Sequence, residues 1–328
     1  MNILQRNIMR IKSLLNGGYI RSYKFKKQRA LNQQHCFDYP TSQHGWQKIG
    51  DSPVYGDACT SCVFDPFVMV QDGRFVMAVS ERLNHGIDRL ESADGINWVK
   101  TGTIISRVPG TWQSIVNRAT LVYHDGLWHM WYTGQENNRA CIGHTTSAND
   151  KTFPNADQPC LRAEMEAEGV SVMNPCVIWN EQKQCFQMWY AAGEDYEPDV
   201  IFYAESKDGD KWEKHLEPVL AKLPSHPWEC AKVGGCDVKF KADGSYEMYY
   251  IGYQNVDVAR ICYATSKDGI QWNRSEDNLL ISPSRNRFDS DACYKPAVVE
   301  HGGKQYLWYN GRHKHDEYIG LAIKELKE

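Results

Sequence analysis

Five positions in this sequence share a register and a polarity that suit reaction chemistry. When the chain is aligned on turns that recur along it, Asp65-Pro66, Arg118-Ala119, Asn174-Pro175, Gly235-Cys236 and Lys295-Pro296 fall at equivalent places. The pre-proline ring is then Asp65, Arg118, Asn174, Gly235 and Lys295, polar or charged at four of five positions where a central strand would otherwise carry apolar filling. Burying such groups is costly unless they are paired or hydrogen-bonded. They therefore either neutralise one another in a structural network or serve a ligand. Arg118 and Lys295 are fixed cations of the kind that bind a phosphate, a diphosphate leaving group or a carboxylated sugar.

The elements that must position these residues are repeats, and repeats are sought first. Ser92-Ala93-Asp94-Gly95-Ile96-Asn97-Trp98 returns as Ser206-Lys207-Asp208-Gly209-Asp210-Lys211-Trp212 and as Ser266-Lys267-Asp268-Gly269-Ile270-Gln271-Trp272. A worn copy runs from Ser147 to Phe153. An aromatic strand recurs in step with the turns: Met130-Trp131-Tyr132, Met188-Trp189-Tyr190, Met248-Tyr249-Tyr250 and Leu307-Trp308-Tyr309, with Met77 at the same place in the first unit. Asp-Gly or Gly-Gly pairs precede most of these strands and suit tight hairpins, because both residue types tolerate positive φ.

Each unit thus reads strand, hairpin, strand, loop, strand, Asp-Gly turn, Trp-led strand. Four antiparallel strands repeated around an axis make a β-propeller blade. The fold class is all-β, a five-bladed propeller over residues 41–328 with a basic arm at 1–40. The fifth unit ends at Ile319-Gly320-Leu321-Ala322 without its Trp-led strand, and Trp46-Gln47-Lys48-Ile49-Gly50 supplies the missing one. The ring then closes on its own N-terminal strand and leaves no open edge. The S-x-D-G-x-x-W turns are read as architecture, since turns of this geometry select these residue types.

In such a ring the second strand of a blade runs antiparallel to the first, so its end lies beside the first strand's start. That brings Glu81-Arg82 and Arg312-His313 to the rim of a central pocket, and the entering loops add Trp228-Glu229. Asp237, two residues past Gly235, joins the candidate ligand contacts. Carboxylates, arginines and aromatics around a concave axial pocket suit a carbohydrate.

The five-fold repeat, the S-x-D-G-x-x-W turns, the M-W-Y strands and the pre-proline Asp resemble the five-bladed propeller glycosidases, including the family-43, family-32 and family-130 groups. The resemblance covers roughly residues 41–328. It implies an Asp before the first inner strand as base or nucleophile, which Asp65 in Phe64-Asp65-Pro66 matches. It also implies a further Asp and a Glu at equivalent places in later blades, where this chain has Arg118, Asn174 and Gly235. Hydrolysis normally needs two carboxyl groups about 5–9.5 Å apart across the scissile bond. Glu229 is the first candidate for the second, by analogy with a fourth-blade acid, and Glu81 is the next. The family-130 likeness implies phosphorolysis as an alternative, with Arg118 and Lys295 binding phosphate, and a glycosyltransferase that uses an anionic sugar donor fits the same two charges. A non-catalytic sugar-binding propeller is the third reading.

Composition sets the outer limits. The net charge of −4 argues against nucleic acid as partner for the whole molecule, and no apolar run reaches the roughly 18–20 residues of a membrane span. Residues 1–37 nevertheless carry Arg6, Arg10, Lys12, Arg21, Lys24, Lys26, Lys27 and Arg29 with no acid before Asp38. A basic amphipathic arm suits an anionic membrane surface or a protein partner, and equally a solvated terminus. No apolar core of signal-peptide length follows the first charges. Eleven scattered cysteines read as free thiols of a reducing cytoplasm. The Cys59-x-x-Cys62 pair lacks the second pair that a zinc site needs. Neither a metal nor a cofactor is expected; the expected partner is a carbohydrate or glycoconjugate.

Overall fold

In the computed structural model, residues 26–56, 62–194 and 198–326 are described. Five antiparallel sheets of four principal strands form the ring. Their innermost strands are Val63–Gln71, Ile115–His124, Ser171–Asn180, Lys232–Phe240 and Ala292–His301. The fifth blade consists of Ala292–His301, Lys304–His313, Asp316–Glu325 and the N-terminal Gln47–Lys48, which pairs with Ala322 and Ile323. The ring therefore closes where the sequence repeat runs out.

The recurrent turns fasten one blade to the next. In the first turn the Ser92 hydroxyl accepts the N–H of Gly95 at 2.9 Å, while Asp94 accepts the N–H groups of Ile96 and Asn97 at 2.9 and 2.8 Å. Those backbone bonds hold the Asp94 carboxyl far below the usual carboxylate range. The Gly95 carbonyl then takes an indole N–H from Trp308 of the fifth blade at 2.9 Å. Trp131 does the same to Gly209 at 2.9 Å and Trp189 to Gly269 at 2.8 Å. A glycine is required at these carbonyls: φ is +76° at Gly95, and a Cβ there would lie 2.8 Å from the Trp308 ring. The first blade has Ala78 in place of the Trp, and the turn it would face is the worn copy around Asn149. Pin and socket are absent together at this junction.

The core lies between the blades. Trp131, Trp189 and Trp308 are fully buried, each packed against residues of two sheets. Of the basic arm, residues 26–32 are helical and rest on the fourth and fifth blades; residues 1–25 lie outside the described residues, as does Cys59. No helix among the described residues is long and apolar enough to cross a membrane.

Candidate active site

All five innermost strands bulge at one level. Pairing with the second strand slips by one residue between Phe64 and Phe67, Asn117 and Thr120, Met173 and Cys176, Gly234 and Cys236, and Tyr294 and Ala297. The extra residue belongs to the pre-proline ring. Asp65, Arg118, Asn174 and Lys295 adopt positive φ of 52°, 60°, 55° and 27°. Such a conformation costs a non-glycine residue about 1–3 kcal/mol, and it persists where the surroundings impose it, commonly at functional sites. The bulges re-aim these side chains into the axis.

The ring divides the axis into two cavities. On the side where the innermost strands begin, a cavity of about 280 Å³ is lined by Asp65, Arg118 and Asn174 and by the ends of second strands carrying Glu81, Arg82, Gln135, Asn310 and Arg312. Asp65 accepts a hydrogen bond from Arg118 Nε at 2.7 Å, an ion pair between adjacent blades. Arg118 Nη1 lies 3.2 Å from the Met173 thioether, a weak acceptor. Both Glu81 oxygens accept backbone N–H groups, from Leu83 and Asn84, at 2.8 Å. Arg82 lies over the Phe64 ring and pairs with Glu317, which also lines the cavity. Although burial opposes its charge, Glu317 raises the proton affinity of Arg82 above the ordinary value.

The cavity is short of hydrogen-bond partners in a specific way. Among the described residues, Oδ1 of Asn117, Asn174 and Asn310, Nε2 of Gln135 and Nε of Arg312 are buried without a protein partner, and all five residues line this cavity. Buried polar atoms are nearly always satisfied, so such a set marks a place where ligand or water completes the bonding. Three asparagines, a glutamine and an arginine around a small concave site suit a polyhydroxylated molecule.

Lys295 and Asp237 face the other way. Both line a wider cavity of about 830 Å³ at the far end of the axis, among Phe67, Leu121, Val177 and Val298. Lys295 Nζ donates to the Cys236 carbonyl at 2.6 Å, and Asp237 accepts the Val298 N–H at 2.5 Å and pairs with Lys239 at 3.0 Å. The structure thus does not bring Lys295 and Arg118 to one anion site. Nor does it bring His313 into the small cavity: His313 pairs with the Ser290 hydroxyl at 2.6 Å.

Glu229 also lies elsewhere than at the pocket rim. It is fully buried and hydrogen-bonded to the Tyr250 hydroxyl at 2.7 Å, to His226 at 2.7 Å, and to Arg274 and Asn278 at 3.0 Å. This is one copy of a repeated arrangement. Tyr190 donates to Glu168 at 2.7 Å and Lys214 lies 3.1 Å from that carboxylate; Tyr309 donates to Asp289 at 2.9 Å and Lys48 lies 2.5 Å away. In the second blade Tyr132 meets neutral Gln113 at 2.6 Å. A carboxylate from the entering loop is clamped between the aromatic strand's Tyr and a cation at the outer strand of the same blade, and it ties the blade's inner and outer edges. Trp228, beside it, donates to Asn278 at 2.8 Å and packs edge-on against Tyr39.

Glu317 was missing from the sequence reading. The signal for it was the hairpin after Arg312-His313: antiparallel return places Glu317 directly opposite Arg312.

Comparison with known proteins bears on this arrangement. Residues 88–240 match the model of the glycosyl hydrolases family 32 N-terminal domain. Among solved structures, one described as a glycoside hydrolase superposes with a TM-score of 0.70 at 18% identity, covering 92% of this chain and 96% of that one. In fold the chain is similar to that structure, a likeness that its five four-stranded blades share. A thermostable family-43 glycoside hydrolase aligns with a TM-score of 0.65 at 18% identity over 82% of this chain and 91% of its own. A structure from a study of the family-130 mannoside phosphorylases and hydrolases aligns with a TM-score of 0.68 at 16% identity over 89% and 96%. At such identities the likeness speaks for fold. An uncharacterized protein of Mycobacterium tuberculosis (strain CDC 1551 / Oshkosh) is 31% identical over 166 residues, 49% of this chain. The matched stretch spans about half of that relative, 53% of its length.

Proposed function

We propose that the protein cleaves a glycosidic bond at the end of a glycan or glycoconjugate, with the terminal sugar held in the 280 Å³ axial cavity. The observation that carries this reading is the set of five unpartnered polar atoms on residues lining that cavity. A site built to hydrogen-bond a substrate's hydroxyls leaves its own groups unpaired when that substrate is absent. The cavity lies at the small end of the range for ligand sites and is floored by the pre-proline ring, so a single sugar enters it and the remainder of the substrate stays outside.

Asp65 is the reacting carboxylate in this proposal, acting as base or nucleophile from the floor. The second carboxyl group comes from the pocket wall, Glu317 or Glu81, and Glu229 is assigned to holding the blade together. Arg118 fixes Asp65 and leaves part of its guanidinium toward the cavity. A phosphorolytic or transferase version loses Lys295 as the partner of Arg118, because Lys295 faces the opposite cavity. The test is release of sugar from a panel of aryl glycosides by the native protein and by Asp65→Asn. Loss of release in a folded variant supports the reading. Tight sugar binding with no release by the native protein replaces it with a binding function.

A further inference from the structure

We propose that the sugar taken by the axial cavity carries a carboxylate, and that Arg312, steadied by the N-terminal segment, receives it. This rests on the sugar-site reading above and deepens it.

The charges lining the cavity are mostly committed. Arg118 is paired with Asp65, Arg82 with Glu317, and the Glu81 oxygens take two backbone N–H groups. Arg312 differs. Among the described residues it makes no ion pair with a carboxylate: one terminal nitrogen donates to the backbone carbonyl of Asp257, the guanidinium lies 5.5 Å from the centre of the Tyr294 ring, and Nε is buried without an acceptor. A guanidinium stays charged throughout the range of pH in which proteins fold, and its planar fork matches a carboxylate in two parallel hydrogen bonds. Hydrogen bonds between such ions are about twice as strong as neutral ones. The sugar's hydroxyl groups have their own acceptors in the three Asn carbonyls; the unpaired cation calls for an anion.

The arm explains how Arg312 is kept in place. Asn32, at the end of the helical turn, donates to the Asp257 carboxylate at 2.7 Å, on the residue whose carbonyl holds Arg312. Arg29 and Gln33 both bind the Asp291 carboxylate, and the Asp291 backbone N–H donates to the Arg312 carbonyl at 2.9 Å. The same carboxylate accepts the Lys314 N–H. The segment thus clamps the loops on both sides of Arg312. Arg29 and Asn32 are positioning residues here, and they act through Asp291 and Asp257.

The experiment is calorimetric titration of the full chain with matched pairs: glucuronate and glucose, galacturonate and galactose, mannuronate and mannose. The native protein is expected to bind one uronate at least about tenfold more tightly than its neutral partner, a difference of about 1.4 kcal/mol. Arg312→Met brings that ratio toward one, Arg312→Lys leaves it between the two, and Asn32→Ala lowers it severalfold at unchanged melting temperature. Equal affinity for acid and neutral sugars in the native protein overturns this inference and leaves the sugar site standing. An acid preference that survives Arg312→Met overturns it as well. Binding of neither class overturns both readings. The native ratio alone decides if the Arg312 variants fail to fold.

Discussion

Tyr250 donates its hydroxyl to Glu229 across 2.7 Å, inside a blade and out of reach of the axial cavity. The pair repeats as Tyr190 with Glu168 and Tyr309 with Asp289, each with a cation at its blade's outer strand. A feature present in three blades is a property of the blade, and the fourth-blade copy holds structure together. Removing one partner of a buried ion pair leaves the other unpaired, at a cost of about 3–5 kcal/mol. Glu229→Ala should therefore lower the melting temperature strongly, by stranding Arg274 and the Tyr250 hydroxyl, while sugar binding well below the transition persists. Unchanged stability with abolished turnover would reassign Glu229 to catalysis.

The pin between the first and fifth blades gives a separate stability prediction. Gly95→Ala places a methyl group 2.8 Å from the Trp308 ring at a residue whose φ is +76°. The conformational part alone costs about 1–3 kcal/mol, and displacement of the buried indole adds to it. The variant should unfold at lower denaturant concentration than Gly73→Ala, which has positive φ but no atom within 4 Å of the added Cβ. Equal midpoints for the two would show that the indole contact contributes nothing.

Acid sensitivity should be traceable to one interblade cluster. His129 meets His144 at 3.0 Å, His144 meets Asp210 at 2.8 Å, and both rings stack on Trp131. Burial, then the neighbouring imidazoles, lower the His129 pKa from 6.5 to about 4. Burial also lowers that of His144, against the pull of Asp210. The unfolded chain then binds more protons than the folded one between these values. The contribution of His129 to stability is complete above about pH 6.5 and falls away as the pH drops toward 4. Melting temperatures at pH 7.5 and pH 5 should differ by less in His129→Gln than in the native protein. An identical difference would remove the cluster from the account.

The architecture was legible because it is repeated: four copies of one turn and an unfinished fifth unit were enough to number the blades and to close the ring. The register of Asp65, Arg118 and Asn174 was legible for the same reason. The direction of Lys295 was not. Its backbone lies at the edge of the left-handed region, at φ 27° against 52–60° for the other three, and its long side chain turns to the opposite cavity. The role of Glu229 was hidden because its partners, Tyr250 and Arg274, lie 21 and 45 residues away. Repetition of the Tyr was visible, but its hydroxyl's destination was not. The arm's positive charge was plain in the sequence; that Arg29 is spent on Asp291 depends on contacts across 262 residues.

The central claim is that the axial cavity is a reaction site with Asp65 at its floor. It is tested most directly by the rate of sugar release by the native protein and by Asp65→Asn, using the aryl glycoside that the native protein turns over fastest. The account predicts a loss of roughly 10²–10⁴-fold or more in the variant, the scale of a positioned acid–base group, with melting temperature and sugar affinity retained. Turnover by folded Asp65→Asn equal to that of the native protein would contradict it.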